Sequence, residues 1–131
     1  MANRYLDWMK QAYEDLNHAR HSIEFKDFDW SCFAAHQSAE KALKALYLKL
    51  GMEAWGHSLI ALLGNLPETI RIPEELGDYA RTLDKYYIPT RYPNGFDEGA
   101  PVDYYTKSEA EQGVKYADKL IQFCESLINK T

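Results

Sequence analysis

The sequence predicts an all-α protein: an up-and-down antiparallel helical bundle with two long helices, two short helices and a long C-terminal helix. Three observations lead there. Apolar residues recur at steps of three and four along most of the chain. Gly51, Gly56, Pro67, Pro73 and Pro89 fall at the joins between the periodic segments. The length of 131 residues suits one core, so a single domain over residues 1–131 is expected.

Tyr5, Trp8, Met9, Ala12, Leu16, Ala19 and Ile23 line one face of a first helix, over about residues 4 to 25. "KDFDW" interrupts it, with Asp29 as the expected N-cap of a second helix over about 30 to 50. Phe33, Ala39, Ala42, Leu43, Leu46, Tyr47 and Leu50 form its stripe, and the short link makes the pair an antiparallel hairpin. Glu40 and Lys44 are spaced for an ion pair along it. "HSLIALLGNL" gives a short helix over about 57 to 66, with His57 at its start, either capping it or turned outward to a partner.

Pro73 suits the first position of a fourth helix, with Glu74 and Glu75 at the positive end of its dipole. Leu76, Tyr79, Ala80 and Leu83 are its buried stripe, and Pro89 stops it near Tyr87. Residues 88–104 then carry three prolines and two glycines and form an irregular loop, long enough to suggest a function. "TKSE" is a capping box, Thr106 with Glu109, for a last helix whose face is Ala110, Val114, Ala117, Leu120, Ile121, Cys124, Leu127 and Ile128.

Charge and composition narrow the function. A net charge of -5 argues against duplex DNA and other extended polyanions, whose affinity comes from lysine and arginine. No segment approaches the roughly 20 apolar residues of a membrane span, and the opening residues lack the pattern of a signal peptide. A soluble, cytoplasmic protein is therefore expected. Cys32 and Cys124, with no Cys-x-x-Cys, fit small buried thiols in a reducing compartment. His18 and His21 lie one turn apart but lack a third marked ligand, and no zinc spacing or glycine-rich phosphate loop occurs. No metal and no cofactor is expected. His36 and Glu40, at i, i+4, favour a hydrogen bond along the helix over an acid–base pair.

The chemistry concentrates in "LDKYYIPTRYPNGFD". Pro89 and Pro93 stiffen the backbone on either side of Arg91, whose planar fork suits phosphate or carboxylate. Tyr86, Tyr87 and Tyr92 offer rings on which a base can stack for roughly 1 to 3 kcal/mol each. Between Arg81 and Arg91 three basic residues, Lys85 among them, face one acidic residue, a local +2 that leaves -7 for the rest. Such a patch suits a nucleotide or short RNA. The plainer alternative is packing, with the tyrosines pinning the loop and Arg91 paired to Asp84, Asp97 or Glu98.

"CFAAHQSAEKALKALYLKLG", "WGHSLIALL", "LDKYYIPTRYPNG" and "YTKSEAEQGVKYA", in this order, resemble the HEPN domain family, over about residues 4 to 128. The resemblance implies a helical bundle that forms homodimers, from a prokaryote, often encoded beside a small nucleotidyltransferase for which it binds nucleotide or substrate, in a toxin–antitoxin-like pair. Its "RYP" element falls on Arg91, Tyr92 and Pro93, with Tyr86 and Tyr87 before it. Ribonuclease members resemble one another in an Arg-x4-6-His motif, whereas the matching positions after Arg91 are Phe96, Asp97 and Glu98. The expectation is therefore a non-catalytic binding protein using Arg91, Tyr87, Tyr92, Lys85 and Tyr86, with His57 toward a protein partner. The alternatives are a ribonuclease toxin with a degenerate site, or a pure interaction module.

Overall fold

A computed structural model describes residues 3–130; the outermost ends of the expected 1–131 domain lie outside the described residues. The described chain is all-helical, with five α-helices: α1 (Tyr5–Glu24), α2 (Phe28–Lys49), α3 (Leu59–Gly64), α4 (Glu74–Asp84) and α5 (Lys107–Lys130). The three residues between α1 and α2 turn the chain back through Lys26, at φ 63°. The Ser31 hydroxyl donates to the Ala19 carbonyl at 2.7 Å near this turn, and Asn3 donates to the Leu48 carbonyl at 2.7 Å at the far end, so the hairpin is antiparallel.

α2 is the centre of the molecule. Its stripe is wider than the periodicity indicates: Ala34, Ala35 and Ala45 are buried along with the expected Ala39 and Ala42, because α1 packs on one side of it and α5 on the other. The small side chains let both neighbours come close. α4 runs against α5, with the Tyr79 and Tyr116 rings stacked 4.1 Å apart. Leu16, Leu43, Leu46, Leu83, Leu120 and Ile121 fill the space between the helices.

Several boundaries differ from the expected ones, each for a local reason. α2 begins at Phe28 with Asp27 at its N-cap, which puts Asp29 inside the first turn and frees its carboxylate for a tertiary partner. α3 is capped by Ser58, whose hydroxyl accepts from the Ala61 amide at 3.2 Å; His57, one residue earlier, is left to turn aside. α4 ends at Asp84, three residues short of Tyr87, and Pro73 is its N-cap residue. The Thr106–Glu109 capping box is present in both directions, at 3.1 Å each way.

The long connection into α5 is compact. It holds three single 3-10 turns, Ile88–Thr90, Pro93–Gly95 and Pro101–Asp103. The buried Thr90 hydroxyl bonds the Tyr86 and Tyr87 carbonyls at 2.9 and 2.8 Å, tying the loop to the end of α4. Further on, the Phe96 and Tyr104 rings stack at 4.2 Å and the Tyr104 hydroxyl donates to the Glu98 carbonyl. Gly99 sits there at φ 80°, with the Tyr104 ring and Asp103 carboxylate closing in on it, a place where only glycine fits without strain.

Candidate functional site

Arg91 lies at the centre of the loop's contacts with the bundle. Its Nη2 is 2.5 Å from Asp29 Oδ2, in the first turn of α2. The pairing expected with Asp84, Asp97 or Glu98 is thus replaced by one across the fold: Asp84 is occupied elsewhere, and Asp97 and Glu98 sit on the exposed side of the loop. The guanidinium carbon stands 3.6 Å above the Trp30 ring and 5.8 Å from that of Phe33. Arginine over an aromatic face is attracted by the ring's quadrupole. The Arg91 side chain keeps 18% of its surface exposed, and its Nε is buried without a hydrogen-bond acceptor.

The remaining residues of the tyrosine-rich stretch are divided by α4's end. Tyr92, 56% exposed, and Lys85 lie on the surface. Tyr87 is half-buried, its ring near those of Phe33, His36 and His57 at 6.1, 5.0 and 5.0 Å. Tyr86 is a correction to the set of ligand-contacting residues: it points into the core, 5% exposed, edge-on to Tyr105 and against Gly113, so its ring offers a ligand no face. Burial pushes the Tyr86 hydroxyl well above its ordinary value and Tyr105 up to about 12.

Beside Tyr87 a second set of polar groups converges, around a cleft of about 190 Å³ lined by His36, His57, Ser58, Asp84 and Tyr87. His57, exposed at the rim, has its Nδ1 3.0 Å from Oε2 of the buried Glu40, which also takes the Lys44 ammonium at 2.9 Å as the helical spacing predicts. His36 lies 4.0 Å from Glu40, too far for the expected helix-face bond, and instead meets Asp84 Oδ1 through Nε2 at 3.1 Å. Asp84 also accepts from the Ser58 hydroxyl and from the amides of Leu59 and Ile60 at 3.1, 2.8 and 3.2 Å, so the end of α4 caps the start of α3. Burial alone would raise the Asp84 carboxyl; the hydrogen bonds from His36 and the two amides outweigh it and hold it below the usual carboxylate range.

Chemically the region offers one compensated arginine on an aromatic wall, an exposed tyrosine next to it in the chain, an exposed lysine at the end of α4, and a surface imidazole held by a buried carboxylate. Among the described residues no three His, Cys, Asp or Glu side chains converge as a metal ligand set, and His18 and His21 point to solvent. A larger open groove, of about 650 Å³, runs along α1 between scattered charged side chains and converges on none of these groups.

Of the participants, sequence reasoning missed Trp30 and gave Asp29, Phe33 and Asp84 other parts, as an N-cap, a stripe residue and a partner for Arg91. A signal for two of them, Asp29 and Phe33, existed. Asp29, Phe33, His36, Glu40 and Lys44 follow one another at steps of four, three, four and four, a single stripe of α2. On a helix otherwise rich in alanine and leucine, that stripe of charged, aromatic and imidazole side chains marks the face turned to residues 57 and 84–91.

Comparison with known proteins agrees with this architecture. The family model described as "HEPN domain" matches residues 5–127. The crystal structure of TT1696 from Thermus thermophilus superposes with a TM-score of 0.94 at 48% identity, covering 96% of this chain and 99% of that one. An HEPN domain protein from Thermotoga maritima superposes with a TM-score of 0.78 at 40% identity, covering 95% and 99%. A Methanocaldococcus jannaschii protein named "Putative toxin MJ1304" is 23% identical over 132 residues, spanning 94% of this chain and 87% of its own length.

Proposed function

We propose, from the premise that this chain belongs to the HEPN domain family, that it is a single-domain, non-catalytic binding protein for nucleotide or a short RNA. It acts as a homodimer beside a separate small nucleotidyltransferase, in the cytoplasm. Arg91 contacts phosphate, Tyr92 and the half-buried Tyr87 wall the base, Lys85 adds charge at the rim, and His57 faces the protein partner. The observation that carries this reading is the seating of Arg91: a guanidinium carbon 3.6 Å over the half-exposed Trp30 ring, next in the chain to the exposed Tyr92. Prolines on both sides hold that arrangement before any ligand arrives, which lowers the ordering cost of binding.

Isothermal titration with ATP, GTP and a short single-stranded RNA tests it. Binding that Arg91→Ala abolishes and Tyr92→Ala weakens is the expected result. No heat from any of the three, with co-purification of a protein partner unaffected by Arg91→Ala, would leave the stretch as packing.

A second reading, a ribonuclease toxin, is favoured by a different observation. His57 is an exposed imidazole held through Nδ1 by buried Glu40, the form a general acid–base takes, and the Methanocaldococcus relative carries a toxin's name. RNA cleavage by the purified protein that is lost in His57→Ala would establish it over the first; intact RNA under the same conditions removes it.

A further inference from the structure

Arg91 is neutralised from inside the protein. Its partner Asp29 is 9% exposed and sits in the first turn of α2, where the helix dipole favours an anion. The contact runs through one arm of the guanidinium: Nη2 meets the carboxylate at 2.5 Å, while Nε, the arm a bidentate carboxylate would also engage, is buried with no acceptor. Trp30 covers one face of the group at 3.6 Å, so an incoming anion reaches it along the edge, beside Asp29.

We propose that Asp29 selects the class of ligand Arg91 accepts: nucleotides ending in a free phosphate, in preference to the internal phosphodiesters of an RNA chain. The inference rests on the nucleotide-binding reading above and narrows it. Asp29 is a tethered competitor. A phosphodiester carries one negative charge, no more than the carboxylate it has to displace, and lacks the advantage of being already in place. A terminal phosphate carries close to two charges at neutral pH and attracts the guanidinium about twice as strongly. The vacant Nε gives the displaced carboxylate a destination. Asp29 moves one arm along the fork, Nη2 passes to the ligand, and the buried donor gains the acceptor it lacks.

The test is isothermal titration of the full chain with ATP, inorganic pyrophosphate and a short single-stranded RNA with hydroxyl ends. Wild type is expected to bind ATP and pyrophosphate about tenfold or more tightly than the RNA. Asp29→Asn, which keeps the shape and removes the charge, is expected to tighten RNA more than ATP and narrow the gap to about threefold; Asp29→Glu, which keeps the charge, preserves it. A wild-type gap below about threefold overturns the proposal without any variant, and so does an unchanged gap in a folded Asp29→Asn protein. Heat from wild type with no discrimination removes this inference and leaves the binding reading standing. No heat from wild type or Asp29→Asn with any probe removes both.

Discussion

Asp84→Ala separates a structural keystone from a site residue, and its cost can be worked from the contacts. The carboxylate accepts four hydrogen bonds: from His36 Nε2, the Ser58 hydroxyl, and the Leu59 and Ile60 amides. Losing a helix cap costs about 0.5 to 2 kcal/mol. Stranding a buried donor costs about 1 to 3 kcal/mol more, and His36 is fully buried. Ser58 is exposed and turns to water, so it adds little. The expected loss is about 3 kcal/mol, or roughly 10 to 15 °C in melting temperature for a chain of this size. Urea denaturation followed by far-UV circular dichroism measures it directly.

The pH dependence has a defined sign. Because the folded Asp84 carboxyl lies below its ordinary value, its contribution is complete above the unfolded carboxylate range and is lost as pH falls through the folded value. The difference between wild type and Asp84→Ala is therefore expected to stay level from neutral pH down to about 5 and to shrink only below about 4. A loss under about 1 kcal/mol at neutral pH, or a difference already shrinking near pH 6, would refute the account of Asp84 as an ionised cap.

Gly113 sits inside α5, where a Cβ would meet the Tyr86 ring and Ala35 at 3.5 and 3.6 Å, ordinary contact distances. Gly113→Ala is expected to stabilise by about 0.5 to 1 kcal/mol through helix propensity, and Gly113→Leu to destabilise by about 1 to 3 kcal/mol through overpacking, both read by urea denaturation. Burial pushes the Cys32 thiol up to about 12 and raises Cys124 further, so Ellman's reagent at pH 8 is expected to label neither until the protein is unfolded. A rapidly reacting thiol in the native state would contradict the packing of α2 on α5. Thr106→Ala removes the capping box of α5 and is expected to cost about 1 kcal/mol, measured the same way.

The helices were legible because each carries its own evidence: a stripe at steps of three and four, a proline or glycine at the join, a Thr-x-x-Glu box before α5. The boundaries that moved did so where a tertiary contact overrode local preference. Asp29 is a good N-cap residue by type, yet Arg91 claims it from 62 residues away, and Ser58 caps α3 because its neighbour His57 is drawn to Glu40. The site was legible in part for the same reason. Arg91 and the prolines around it are adjacent in sequence, so a restrained arginine on this loop can be read locally. Tyr86 and Tyr87 look alike in the chain; one turn of backbone after Asp84 sends the first into the core and leaves the second half-exposed at the cleft, which no local signal distinguishes.

The two halves of the site are joined by their placement on α2. Asp29 and Phe33 hold Arg91 and the aromatic wall, while His36 and Glu40, further along the same stripe, hold Asp84 and His57. The rigid helix therefore supplies the buried acidic groups, and the loop and the chain before α3 supply the arginine and the outer histidine that pair with them. Tyr87 stands between, in ring contact with Phe33 on one side and with His36 and His57 on the other. If a ligand shifts Asp29 along the Arg91 fork, the Phe33 and Tyr87 rings form the packed route by which that movement is expected to reach His57. Coupling by this route requires two discrete positions of the Tyr87 ring, so Tyr87→Leu is expected to leave phosphate binding at Arg91 largely intact while uncoupling it from the imidazole. Nuclear magnetic resonance of the His57 ring, titrated with pyrophosphate in both proteins, decides the point: a His57 shift in wild type that persists unchanged in Tyr87→Leu would show that the two halves communicate by another path.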